Sequence, residues 1–126
     1  MFDGFDNCAM STTKSLPFSE IRRAAGLVFL SGELPFAADG SIPDGIEAQT
    51  RLTLQRIATT LSTVGLTLSD VVSCTVYLTD KDDFSAFNAA YLTYFSRPLP
   101  VRTTVCTGLV APARIEISVI AAQTTA

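Results

Sequence analysis

Histidine is missing altogether from the 126 residues. Its absence removes the Ser/His/Asp triad, the Cys/His dyad and the ordinary catalytic zinc centre, each of which relies on imidazole. Cysteine is sparse: Cys8, Cys74 and Cys106 are an odd, widely spaced set that matches neither a disulfide framework nor a zinc pattern. A reducing, cytoplasmic setting is expected, with no resident metal. No glycine-rich stretch resembles a phosphate cradle or a dinucleotide fingerprint, so no cofactor is expected either. Basic residues are few, with Lys+Arg 9 against Asp+Glu 12, net charge −3, and only Arg22-Arg23 adjacent. No cationic stripe exists to follow a phosphate backbone, which counts against nucleic acid as a partner. Apolar runs are short, and the stretch from Leu27 to Phe36 is interrupted at Ser31, Gly32 and Glu33. None approaches a membrane span. The first fifteen residues lack both a basic start and an apolar h-region. They read as a loose tail (1–15) ahead of a single domain over 16–126.

What is present is apolar surface in quantity. Hydrophobic residues make up 48% and charged residues 17% of the chain, with mean hydropathy +0.35. One domain of this size can bury a core without disulfides. Such a low charge content implies that further apolar surface is covered by other copies of the chain, a homo-oligomer.

The periodicity predicts the order ββ, α, β, α, ββ. Arg22 to Ala25 and Leu27 to Leu30 form a strand pair about Gly26, and Pro35 to Gly45 an irregular loop. A first helix over Ile46 to Val64 carries Leu54, Ile57, Leu61 and Val64 at helical spacing and stops at Gly65. Val71 to Leu78 alternates as a strand, with Val72, Cys74, Val76 and Leu78 assigned to one buried face. Asp82 or Asp83 caps a second helix whose stripe is Phe84, Phe87, Tyr91 and Tyr94 or Phe95, closed by Pro98 and Pro100. Two last strands, about Arg102 to Thr107 and Arg114 to Ala121, flank a turn at Gly108 to Pro112. The class is α+β, with the helices on one face of the sheet and subunits packed on the other.

Arg102 and Glu116 stand out because each is a charge embedded in an apolar strand, costly to desolvate unless it meets a partner or a ligand. Arg102 offers a planar fork that matches a carboxylate, and Glu116 can orient or deprotonate water if burial raises its pKa. The same two groups can instead form a buried ion pair that staples strands or subunits. Paired as a hairpin, the last two strands would bring them close, which spacing alone does not establish. Cys106 falls on the strand face of Arg102, either as a thiol nucleophile or as a buried small hydrophobe. Asn88 follows Phe87 on the second helix, where it either reaches a cleft or faces solvent. Ser31-Gly32 offers a hydroxyl and a permissive backbone, or simply a turn.

Taken together, Pro17-Phe18-Ser19, Leu30-Ser31-Gly32-Glu33-Leu34-Pro35, Asp70-Val71-Val72, Phe87-Asn88-Ala89-Ala90-Tyr91, Pro100-Val101-Arg102 and Ile115-Glu116-Ile117 resemble the RidA/YjgF family of imine/enamine deaminases. The resemblance runs from about Leu16 to Ala121. It implies a chorismate-mutase-like α+β domain assembled as a homotrimer with clefts between subunits. It further implies that Arg102 grips the carboxylate of a 2-imino or 2-enamino acid and that Glu116 positions the hydrolytic water. Thr104, Asn88, Ser31 and Phe18 would line the cleft, with no metal or cofactor.

Four positions depart from that pattern: Phe18 for tyrosine, Thr104 for cysteine, Glu33 for glutamine and Ser118 for a second glutamate. Phe18 removes a hydroxyl that binds water, and Glu33 adds negative charge near the site if it points inward. The expected activity is hydrolysis of reactive 2-imino or 2-enamino acids such as 2-iminopropanoate to 2-keto acids and ammonia. Two rival expectations are a pathway-specific deaminase of a 2-aminomuconate-like product and a non-catalytic binding, chaperone-like or RNA-directed protein.

Overall fold

The computed structural model describes residues 16–123; the expected N-terminal tail and Cys8 lie outside the described residues. Five strands form one sheet: β1 (Ile21–Ala24), β2 (Leu27–Leu30), β3 (Val71–Leu78), β4 (Val101–Cys106) and β5 (Ile115–Ala122). Two helices, α1 (Ile46–Ser62) and α2 (Phe84–Leu92), complete the α+β architecture. The strand order is β1-β2-β5-β3-β4. All pairings are antiparallel except β3 with β4, which makes the sheet mixed.

β1 and β2 are joined by Ala25 and Gly26, both at positive φ (55° and 78°). Two such residues twist the chain in the sense of the flanking strands, the geometry of a tight hairpin. The last two strands, by contrast, do not pair with each other. β5 inserts between β2 and β3, and β4 lies parallel on the outer edge of β3. β3 thus separates Arg102 from Glu116, and the hairpin geometry that would have brought them close does not exist.

α1 ends at Ser62, two residues short of the predicted Val64, and the chain turns away at Gly65 as the sequence predicts. Gly65 adopts φ 78°, and the Leu66 N–H donates back to the Leu61 carbonyl at 3.0 Å, closing the helix through the left-handed residue. Its first two turns bury Gln49, Thr50 and Thr53 rather than an apolar stripe. The threonine hydroxyls donate to the Ile46 and Gln49 carbonyls at 2.7 and 2.8 Å, which satisfies them without leaving the helix. Gln49 holds the start of β5 by accepting the Arg114 N–H at 2.7 Å.

On the helix-facing side, Leu54, Ile57 and Leu61 pack with Val76, Ile115, Ile117 and Phe87, all at most 1% exposed. β3 departs from simple alternation at its start. A register shift between Val71 and Ser73 buries Val71 and turns Val72 out, 43% exposed. An extra residue inverts the facing order locally, so Val72 leaves the face assigned to it. Neither Asp82 nor Asp83 caps α2 through its side chain; Asp80 accepts the Asp82 N–H at 2.9 Å instead. Asp83 holds Arg114, through Nε at 2.8 Å and Nη2 at 3.0 Å, tying α2 to β5.

Candidate active site

Arg102 sits on the edge strand, in register with Cys74, and therefore points to the helix side. Its guanidinium carbon lies 4.8 Å from the ring centre of Tyr91, 5.0 Å from Phe87 and 5.8 Å from Phe84. These rings attract the cation through their π faces but do not neutralise it. Among the described residues no carboxylate lies within 4.0 Å of Arg102. Among the described residues the buried Tyr91 hydroxyl finds no partner of good hydrogen-bond geometry, although the Cys74 thiol and the Arg102 guanidinium lie against it. Burial, and then the neighbouring Cys74 thiol, push that phenol's pKa well up, against a smaller opposing effect of Arg102. Tyr91 is therefore a neutral platform for a charged guanidinium.

Glu116 sits in the interior of the sheet on β5, opposite Tyr77, on the face away from the helices. Its carboxyl occupies the space where a Cβ on residue 32 would stand, so that only glycine leaves room for it. Among the described residues it too has no ion-pair partner. Burial raises its pKa, and the nearby negative charge of Glu33 raises it further. A carboxyl in this condition exchanges protons closer to neutrality than an exposed one.

Glu33 is held beside it by backbone pairing. The Glu33 N–H donates to the Ile117 carbonyl at 2.7 Å and the Ile117 N–H returns to Glu33 at 3.1 Å. The side chain turns inward to α1, where its carboxylate accepts from Arg56 Nε at 2.8 Å. Arg56 was not singled out by periodicity. The one available signal was an acid within an apolar loop, which demands a cation from somewhere.

The remaining candidates divide between these two centres. Thr104 shares the Arg102 face of β4, in register with Val76. Asn88, half-buried, falls on the α2 stripe of Phe84 and Tyr91. Phe18, 45% exposed, and Ser31 adjoin Gly32 in a pocket of about 400 Å³ that also holds Glu33 and Arg56. The Ser31 hydroxyl donates to the Ser19 carbonyl at 2.6 Å, fixing the segment that carries Phe18. A second pocket of about 430 Å³ contains Glu116, Ser118 and Tyr77, and Gly32 borders both. Cys106 is exposed at the end of β4, not the buried hydrophobe that one reading assigned. Within a single chain Arg102 and Glu116 point to opposite faces of the sheet, two strands or about 10 Å apart laterally.

A mixed five-stranded sheet with two helices is the architecture of the YjgF-like α+β structures. The family described as endoribonuclease L-PSP matches residues 10–123, and the chain belongs to this family, the RidA/YjgF family. Among its relatives is the mitochondrial protein mmf2 of Schizosaccharomyces pombe, 36% identical, with 85% of this chain and 88% of that protein covered. Solved structures agree. RidA from an Antarctic Psychrobacter superposes with TM-score 0.81 at 28% identity, covering 86% and 89% of the two chains. Escherichia coli TdcF with bound serine does so with TM-score 0.81 at 29% identity, covering 86% and 89%. Among the described residues no helix is long and apolar enough to cross a membrane.

Proposed function

We propose that this protein is a homotrimeric deaminase that hydrolyses 2-imino or 2-enamino acids to 2-keto acids and ammonia, in clefts formed where copies meet. The observation that carries this reading is a pair of opposite charges that do not neutralise each other. Among the described residues Arg102 is bedded on aromatic rings with no carboxylate within ion-pair reach, and Glu116 is packed on glycine with no cation. Because they face opposite sides of one sheet, a second copy must supply the complement.

The substrate carboxylate pairs with the Arg102 guanidinium, which presents two parallel donors. Protonated Glu116 donates to the enamine carbon or the imine nitrogen and makes the imine carbon a stronger electrophile. The resulting Glu116 carboxylate takes a proton from water as the oxygen bonds to that carbon, giving a carbinolamine. Glu116 returns that proton to the nitrogen and takes up the carbinol hydroxyl proton as the carbon–nitrogen bond breaks, which releases ammonia, leaves the 2-keto acid and restores the protonated acid. Positioning and charge suffice for this sequence, since an iminium carbon is already reactive. Thr104, Asn88, Ser31 and Phe18 line the cleft in this reading. The bound serine of TdcF is a small carboxylate-bearing molecule, in keeping with a substrate of that class.

A longer substrate, of the 2-aminomuconate type, is the second reading. It is favoured by Ser118, whose short side chain borders the Glu116 pocket. Ammonia release from 2-iminopropanoate generated in situ, compared with 2-aminomuconate, separates the two. No acceleration of either over spontaneous hydrolysis sinks the deaminase assignment. The ribonuclease activity in the family's description draws no support from a chain of net charge −3 without histidine; a salt-sensitive RNA affinity would favour it instead. We place the protein in the cytoplasm. The mmf2 relative is mitochondrial by name, and fractionation of the tagged native chain decides between the compartments.

A further inference from the structure

The Glu33–Arg56 pair has no part in the chemistry above, yet it stands directly behind the reactive acid. Glu33 is bridged through its backbone to Ile117, the neighbour of Glu116. Its side chain is turned to the opposite side, where it meets Arg56 with both side chains largely enclosed, at 19% and 21% exposure. Arg56 is itself fixed by a second bond, from Nη1 to the Phe36 carbonyl at 2.6 Å. Gly32, whose missing side chain admits the Glu116 carboxyl, borders both the Glu116 pocket and the pocket that holds Glu33 and Arg56. Two carboxyls on either side of one glycine, both partly out of water, do not ionise independently.

We propose that Arg56 is a positioning residue that decides which of these two carboxyls holds the proton. Paired with Arg56, Glu33 remains the anion, and Glu116 is left as the proton-carrying acid of the site. The environments differ in the required sense. Burial raises both carboxyls above the ordinary range; at Glu33 the Arg56 charge and hydrogen bond offset part of that rise, whereas at Glu116 the next influence, Glu33 itself, adds to it. Separating two acids by environment is the general way in which one becomes a donor. The other groups facing Glu116 are Tyr77, opposite it on β3, and Ser118 on its own strand; the negative charge of Glu20 raises the Glu33 carboxyl further.

The proposal rests on the deaminase reading only for its effect on turnover, since the partition of the proton is measurable without substrate. The experiment is a carbon-13 carboxyl titration of the glutamate-labelled, full-length protein, in the wild type and in Glu33→Gln, Arg56→Gln and Arg56→Lys. Glu33→Gln, nearly isosteric, removes the like charge. The Glu116 midpoint is expected to move to lower pH, with the acidic limb of kcat/KM following it. In Arg56→Gln the Glu33 signal is expected to titrate at higher pH, with Glu33 and Glu116 sharing two broadened steps; Arg56→Lys restores separate titrations. A Glu116 midpoint unmoved in both Glu33→Gln and Arg56→Gln overturns the proposal, whether or not an imine is hydrolysed. A Glu116 that responds in a protein without deaminase activity upholds the proton partition and removes the deaminase reading.

Discussion

The edge of the sheet and its interior treat a lone charge in opposite ways. At the edge, the Arg102 guanidinium lies over three aromatic rings, which attract the charge without pairing it with an anion. In the interior, the Glu116 carboxyl is pressed against bare backbone at Gly32 and shares its surroundings with another acid. The first arrangement keeps a cation charged without a counter-ion; the second makes an anion uncomfortable and so a ready proton carrier. A purely structural ion pair looks different, and the same chain contains one. Arg114 and Asp83 meet through two hydrogen bonds and serve to join α2 to β5.

The contrast can be broken most severely at Arg102. Arg102→Ala is expected to lower kcat/KM on an imino acid by about 1,000-fold, and Arg102→Lys to recover only part, because an ammonium lacks the parallel donors. Circular dichroism and melting should show an intact fold. Glu116→Gln is expected to reduce kcat by roughly 100-fold or more while stabilising the protein by about 1 kcal/mol. The sign follows from linkage. With its native pKa raised, Glu116 gives up its proton in the unfolded chain first, so stability is highest below the ordinary carboxylate range and declines as pH rises through the native value. The variant should lose that decline in a series of melts across pH.

Whether the two regions complete each other between copies is tested by mixing. Arg102→Ala and Glu116→Gln subunits, each inactive, should regain about one quarter of wild-type activity when co-refolded, since random neighbours restore that share of shared sites. No recovery means that the site is not divided between copies. Gly32→Ala sharpens the interior half. Its methyl displaces the end of a flexible side chain, so stability should change by less than about 1 kcal/mol while turnover falls roughly tenfold as Glu116 is moved. The smallest effect on turnover is that of Asp83→Asn, expected to leave it unaltered while losing about 1 kcal/mol of stability.

Much of the fold was legible because its signals are local. The stop of α1 at Gly65, the turn at Ala25-Gly26 and the alternating pattern of β5 each depend on residues within one or two turns of chain. Three features were not legible, and each has a non-local cause. The Val72 inversion arises from how β3 registers against β5. Arg114 claims Asp83 across 31 positions of sequence, leaving it unavailable as a cap. Arg56 reaches Glu33 from a helix 23 positions away, where periodicity marks it only as a polar flank.

Sequence by itself determined that the chemistry is without imidazole, that Arg102 and Glu116 are the charges in need of explanation, and that the elements run ββ, α, β, α, ββ. Composition and near-neighbour periodicity carry that information directly. Folding of the whole sheet was needed to set β5 between β2 and β3, to fix the registers that turn Arg102 and Glu116 to opposite faces, and to bring Arg56 to Glu33. Strand order and cross-sheet contacts come from the packing of the whole core, which no short window of sequence encodes.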